Sequence, residues 1–598
     1  MGHRLKMTDK PRFLITTADE KTWKFDRAVL FLGEWCRRYD KREIWASMDA
    51  IVASPYGLGV GQKDKDYVYI NDISEALLME LKDVLNEYHK TAHSLRYWRI
   101  VLGQWLRRYT SVIFNRWFTL QHALHNYEIS GTKVPDAASY SLATPDSISF
   151  IWACTDDVWN HVLYSKILRR FDSINLETDA NYLGNMPGFR EKNESIYRGR
   201  QLTQLLRRTT AGILQMLSLN KDAFIINSYL PRKEEIKLQI SLGQIPQLWR
   251  LPKLAITEPD ISLRERLALN TSGYQGFDQF VRASLLEILP TCYLEGYSAL
   301  QDQVGRLPWP KTPKFIFTSA NFDTDEVFKA WTAQNVENGV PYYTGQHGAN
   351  YGTAKKADSY AADETQLIET SDKFLTWGWT DGNSKHSPAF VFKTAGRKPL
   401  QQDADGGLLL IEVCLLHRIQ AFDQYPKFTI YQEQQFRFAQ TLPERIHRKL
   451  IVRLHAEYKK QPWYEEQRWH DHSPATRLEN GSQNICDLIS KSRLVVHSYD
   501  STGMLETLSQ NISTLCFWHE GLSHLRESAK PYYEKLRQAG ILQDSPELAA
   551  RKVAEVWDNV SAWWNSDTVQ NARGLFCDRY ARVSIRPIKQ LKKILLSR

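Results

Sequence analysis

No CxxC pair occurs in the chain, and its 7 cysteines, Cys36, Cys154, Cys292, Cys414, Cys486, Cys516 and Cys577, stand singly. An odd, scattered set of this kind reads as core thiols in a reducing compartment. No stretch approaches the roughly 18–20 apolar residues that a membrane-spanning helix needs. No apolar run of signal length follows the basic residues 1–12. A soluble, cytoplasmic protein is expected, peripheral to the inner membrane at most. There is no Lys/Arg-rich low-complexity arm, and a net charge of +9 over 598 residues is milder than a dedicated nucleic-acid binder carries. Nucleic acid is therefore not an expected partner. The bias suits anionic nucleotide-sugars or anionic lipid. No clear internal repeat appears.

What is present is a long chain of ordinary globular composition, 42% hydrophobic and 24% charged, too long for one core. The 19 Trp and 28 Tyr are high counts. They suit sugar stacking, membrane-interface contact or large helical cores.

Residues 13–18 and 28–33 are short apolar runs of buried-strand type. From 73 to about 128 the pattern is helical. The block 93–124, with Tyr97, Trp98, Trp105, Tyr109, Phe114, Trp117 and Phe118, has near-helical spacing. Residues 130–300 mix helices and loops, with basic segments at 198–208 and 232–237. A boundary at 308–313 opens a regular alternation. Strands are expected at 315–319, 341–345, 373–377, 408–413, 450–454, 494–497 and 514–518, with helices between. Such alternation means parallel sheets of βαβ units, whose ligand clefts lie at the strands' carboxyl ends. The expected fold class is α/β with two Rossmann-type domains facing a cleft. Domain one spans 1–395 with a helical insertion over about 73–310, domain two spans 396–570, and 571–598 forms a basic tail. That tail, from residue 573, carries 8 basic residues and one acid. It reads as an amphipathic helix touching the inner leaflet or as a helix closing back on the first domain.

Three clusters carry chemistry. Gly345-Gln346-His347-Gly348-Ala349-Asn350 follows a strand, where glycines admit a close ligand and His347 is placed as acid, base or anion contact. His497-Ser498-Tyr499-Asp500-Ser501-Thr502-Gly503 runs from a strand into a helix, with Glu506 one turn inside. Hydroxyls and free N–H groups there form a phosphate site, with Glu506 set for a ribose diol; simple capping by Ser501 or Thr502 is the plainer account. Asp323-Thr324-Asp325-Glu326 offers three carboxylates, read either as helix-start residues or as a nucleophile or general base in the cleft. Its literal DXD is misplaced for a metal-holding role, so no metal is expected. Arg453 and His455 end another strand, on one side of it, as donor contacts or surface residues.

These residues, together with the opening segments 13–20 and 30–36 and His93-Ser94-Leu95-Arg96-Tyr97-Trp98, resemble the LIC12162-type transferases found among genes for bacterial O-antigens. The likeness spans about 12–520. That group is in turn similar to GT99 and capsule-type Kdo transferases. The resemblance implies a GT-B-like fold, a CMP-activated 2-keto sugar acid as co-substrate, no other cofactor and no metal. By position it implies Asp325, then Asp323 or Glu326, as the catalytic carboxylate, with His347 assisting. It also implies Gln346, Gly348, Asn350, Arg453, His455, Ser498, Tyr499, Ser501, Thr502, Gly503 and Glu506 around the donor. The acceptor would be a lipid-linked or oligosaccharide chain. Two other functions stay open: a CDP-alcohol-dependent polyol-phosphate transferase, and a non-catalytic glycan-binding assembly protein that uses the aromatic block as its surface.

Overall fold

The computed structural model describes residues 10–59, 61–136, 140–171, 174–180, 182, 218–247, 249, 252–356, 364–519 and 521–597. The basic segment 198–208 lies outside them. The described residues form three sheets, and every strand pairing within them is parallel.

The first sheet contains β1 (Arg12–Ile15), β2 (Val29–Phe31), β3 (Ala50–Val52), β4 (Ile129–Pro135) and β5 (Leu176–Asp179), in the order β3-β2-β1-β4-β5. The second contains β6 (Phe224–Ile226), β7 (Ile316–Thr318), β8 (Tyr342–Gly345), β9 (Lys373–Thr376) and β10 (His386–Pro388), in simple sequential order. The third contains β11 (Gly407–Ile411), β12 (Leu450–Arg453), β13 (Arg477–Glu479), β14 (Ser492–His497), β15 (Thr514–Phe517) and β16 (Leu542–Gln543). Its order, β13-β12-β11-β14-β15-β16, is the doubly wound 3-2-1-4-5-6 pattern.

The third sheet shows why these runs become buried strands. Leu408, Leu410, Val452, Leu494 and Val496 pack into one helical layer, while Leu409, Ile411 and Val495 pack into the opposite one. Apolar residues on both pleat faces demand cover on both sides, and parallel crossovers supply it.

The N-terminal half differs from the expected single domain with a helical insertion: its first strands build a sheet of their own. Ile129–Pro135 is broken by Ser, Gly, Thr and Lys and Leu176–Asp179 is short and acidic, so their sequence gives no strand signal. The long helices Gln62–His89 and Leu95–Asn126 fall between β3 and β4. They share one continuous core with the first sheet and with Phe224, Ile316 and Tyr342 of the second. Trp98 and Trp105 are fully buried there, and Trp117 is 4% exposed. The aromatic block is therefore core, which removes the glycan-binding surface that the non-catalytic alternative required. Among the described residues no helix is long and apolar enough to cross a membrane. All 7 cysteines are free, 5 of them buried. The basic C-terminal helix Pro587–Leu596 closes back on the second sheet's layer, burying Leu591 and Leu595 with Leu238 and Phe390.

One pair of buried acids sets a pH dependence. Glu412, just past β11, and Glu465, which opens the helix Glu465–His472, are each 1% exposed. The Trp469 indole donates to Glu412 Oε1 at 3.0 Å. The other three carboxylate oxygens have no partner among the described residues. Burial, then Glu465, raises Glu412 far above the usual carboxyl range, and burial pushes Glu465 up to about 8. Folded-state values raised above the unfolded value favour folding fully at low pH, and that contribution is lost as pH rises through about 8. The thermal midpoint should therefore fall between mildly acidic pH and pH 9, and Glu465→Gln should flatten the fall. An unchanged pH profile in the variant would contradict this assignment.

Candidate functional site

Neighbouring strands of a doubly wound sheet part at their carboxyl ends where the crossovers leave in opposite directions, and the crevice there accepts ligands. In the third sheet that point lies between β11 and β14, the neighbours whose pairing runs from Leu408–Leu494 to Ile411–His497. A cavity of about 330 Å³ occupies it. Val413 and Leu415 line it after β11, residues 498–502 after β14, and Trp518 and His519 after β15. Tyr431, Gln434 and Lys427 close one side, and His347 to Tyr351 from the second sheet form the facing wall.

The β14 loop is held by local chemistry. Ser501 caps the helix Thr502–Ser509, its Oγ accepting from Met504 N at 2.9 Å. His497 is fully buried between Thr507 Oγ1, at 3.2 Å, and Ser501 Oγ, at 3.4 Å, and burial pushes it down to about 3. A Cβ on Gly503 would lie 2.9 Å from the His497 ring, so a residue without a side chain lets the helix start this close to the strand. Ser498 Oγ sits 3.0 Å from the Tyr431 hydroxyl.

The β8 loop faces it. At Gly345 a Cβ would stand 2.4 Å from Ser319 Oγ and 2.7 Å from Phe392, which demands glycine. Gln346 turns inward: its amide nitrogen donates to Gly348 O at 2.8 Å, and its oxygen accepts from Trp377 N at 2.9 Å and Trp379 Nε1 at 2.8 Å. That buried bracket shapes the turn and leaves His347 in the cavity wall. The His347 ring lies 5.3 Å from Tyr351, 5.8 Å from Phe322 and 6.1 Å from Tyr229. Burial pushes its pKa down to about 4, against an upward pull from nearby Asp323, so the ring is neutral at physiological pH. The two walls are joined across the cleft by Ala349 N donating to Thr502 Oγ1 at 3.0 Å. A second seam pairs Lys355 N with His524 O and Arg526 N with Thr353 O, each at 2.8 Å.

Of the residues singled out in the sequence, His347, Gly348, Asn350, Ser498, Tyr499, Ser501 and Thr502 meet in this cavity. Gln346 and Gly503 shape it without lining it. Glu506 is turned to Lys393 at 3.3 Å rather than to a ribose position. Arg453 pairs with Glu479 at 3.5 Å, and His455 Nδ1 accepts from Glu457 N at 3.1 Å, so neither reaches the cavity. The three carboxylates also lie outside it. Asp325 caps the helix Glu326–Glu337, accepting from Phe328 N at 3.0 Å and Asn321 Nδ2 at 2.8 Å, and burial pushes it up to about 6. Glu326 is locked with Lys329 at 2.9 Å, Tyr293 OH at 2.5 Å and Ser147 N at 3.0 Å. Asp323 takes both its bonds, 3.0 and 3.1 Å, from Arg108. The DXD aspartates thus serve different partners. Among the described residues no group of three His, Cys, Asp or Glu is arranged to hold a metal.

Sequence reasoning passed over Asp500, inside the very motif it quoted, and His519 and His524, which follow β15. The strand-end rule used for β8 and β14 finds His519 when applied to β15. The seam that brings His524 into place is tertiary and leaves no local signal.

The capping geometry of Asp325 has a measurable consequence. Asp325→Ala should lower the unfolding free energy by about 1 kcal/mol, while Asp325→Asn, an equally good cap, should keep most of it. Equal stability of the alanine variant and the parent in denaturant titration would contradict the cap.

No curated protein matches the chain. Among solved structures, the MnaA–UDP complex of S. aureus is 12% identical over 62% of this chain and 94% of its own, with a TM-score of 0.36. The spinosyn rhamnosyltransferase SpnG with spinosyn aglycone is 12% identical over 62% and 99%, with a TM-score of 0.30. The wall teichoic acid polymerase TagF is 11% identical over 50% and 83%, at 0.28. The family profile matches residues 12–595, nearly the whole chain with all three sheets and both cavity walls, and the protein belongs to the LIC12162 family of transferases.

Proposed function

We propose that this transferase moves a sugar from a nucleotide-activated donor to a bacterial surface-polysaccharide acceptor, of O-antigen or capsule type. The observation that carries the reading is the cavity at the switch point of the doubly wound sheet, with His347 of the other sheet in its facing wall. A donor nucleotide seats against the third sheet, and its sugar faces the second. The volume, about 330 Å³, falls within the range of about 300–1,000 Å³ usual for small-ligand sites.

The finer proposal is a CMP-activated ulosonic acid of Kdo type, handled without a metal. Its support is the family resemblance together with the wall chemistry. Such a donor brings a phosphate and a carboxylate. The N-terminus of the helix Thr502–Ser509, Lys427 and His519 are the groups at hand for them. His347, neutral in its apolar setting, is the hydrogen-bonding partner for the acceptor hydroxyl. Of the three carboxylates, all outside the cavity, Asp323 is the one whose charge pulls on His347, and released from Arg108 it is the candidate for the reacting carbon. We place the acceptor's lipid at the basic segment 573–598, where Ile585 is 98% exposed beside Arg586 and Lys589.

Calorimetric titration with CMP, CDP, UDP and GDP, with and without EDTA, tests the donor. EDTA-insensitive binding of CMP alone is expected. A diphosphate preference returns the CDP-alcohol reading, and a metal requirement ends the metal-free one. In a transfer assay His347→Ala and Asp323→Asn should each lower the rate about 100-fold or more while nucleotide affinity stays within about threefold. Loss of nucleotide binding in either variant would move that residue out of the reacting centre.

A further inference from the structure

Asp500 and His524 both line the cavity, and their side chains are only 7% and 10% exposed. Asp500 follows β14 and His524 follows β15, so two strand ends bring them together. Asp500 Oδ2 accepts twice, from the Tyr533 hydroxyl at 2.8 Å and from His524 Nε2 at 3.2 Å. A carboxylate oxygen only accepts, so Nε2 carries a hydrogen, and in the neutral imidazole this leaves Nδ1 as an acceptor. The His524 main chain is fixed by the seam to Lys355, and its ring stands edge-on to Trp518 at 6.0 Å. Both remaining acceptors, Asp500 Oδ1 and His524 Nδ1, are buried and have no partner among the described residues.

A buried acceptor left unmade costs about 1–3 kcal/mol, and native structures keep few of them. Two on contacting residues, both lining the one cavity, point to donors supplied by its occupant. Phosphate and carboxylate groups only accept, so they do not belong here. Adjacent hydroxyl groups do. Glu506, the sequence's candidate for that task, is occupied by Lys393.

We propose that Asp500 and His524 form a hydroxyl-recognition subsite that selects the bound donor through a pair of neighbouring O–H groups. The proposal rests on the donor-binding reading above. The hydroxyls come from the ribose or from the transferred sugar, and one experiment separates the two. The tightest binder of CMP, CDP, UDP and GDP is titrated into the parent protein beside its 2′,3′-dideoxy analogue. The same nucleotide bearing a sugar (CMP-sialic acid, CDP-glucose, UDP-glucose or GDP-mannose) is titrated in parallel. Asp500→Asn and His524→Gln are measured alongside, with thermal unfolding as the check on their fold.

For ribose recognition, the parent should bind the ribonucleotide about tenfold or more tighter than the dideoxy form, and the variants should lose the difference. For sugar recognition, that difference is absent, and an advantage of about tenfold for the sugar-bearing ligand is lost in the variants instead. No discrimination in either comparison, or discrimination that both folded variants retain, overturns the subsite while leaving the donor reading intact. If no nucleotide binds the parent protein, the donor reading itself fails, and the subsite with it. The dideoxy comparison uses the unaltered chain, so a variant that fails to fold does not leave the question open.

Discussion

In the third sheet, the crossovers on either side of β11 and β14 leave in opposite directions, and the loops at those two strand ends have to part. The gap is a consequence of topology, present before any side chain is chosen. Around it the sequence places what a gap between sheets needs to become a site. A capped helix start lies on one side at Ser501, and a bracketed turn lies on the other at Gln346. The hydrogen bond from Ala349 to Thr502 holds the two walls at fixed separation.

The acidic cluster illustrates how packing redirects residue chemistry. Three carboxylates in four residues look like a reacting centre, yet a buried network claims most of them. The Lys329 ammonium meets Glu326 and Tyr293 OH, each at 2.9 Å, and Asp323 O at 3.1 Å. A buried charge left without its partner is costly, so these groups hold one another before they serve a ligand. Ser147, at the start of a helix between β4 and β5, and Tyr293, between β6 and β7, bring in both N-terminal sheets' helical layers. Arg108, from the long helix Leu95–Asn126, fixes Asp323. The N-terminal sheet and its helices are thus coupled to the site's edge without supplying its walls.

This division explains what the sequence made legible. Strands β7, β8, β9, β11, β12, β14 and β15 are apolar on both pleat faces, and each was visible as a short buried run. Strands β4 and β5 carry Ser, Thr, Lys, Glu and Asp and were not, which concealed the first sheet as a separate one. At the site, residues next to a strand's end were recoverable: His347, Ser498, Ser501 and Thr502 follow from glycine and hydroxyl patterning. Asp500 was masked by its hydroxyl neighbours. His524 depends on the seam with 353–355, and Tyr431 and Lys427 on a helix packing across the gap; such contacts join residues far apart in the chain. Glu506, Arg453 and His455 had the right chemistry and plausible positions, but nearer partners hold them.

The central claim is that a donor nucleotide sits between the β8 and β14 loops. Backbone amide hydrogen exchange, followed with and without a saturating nucleotide, tests it most directly because it reports every loop at once. The account expects simultaneous protection of 346–352 and 498–504, with the carboxyl ends of β1 and β4 unchanged. Protection confined to the first sheet, with both cleft loops exchanging as before, would contradict it.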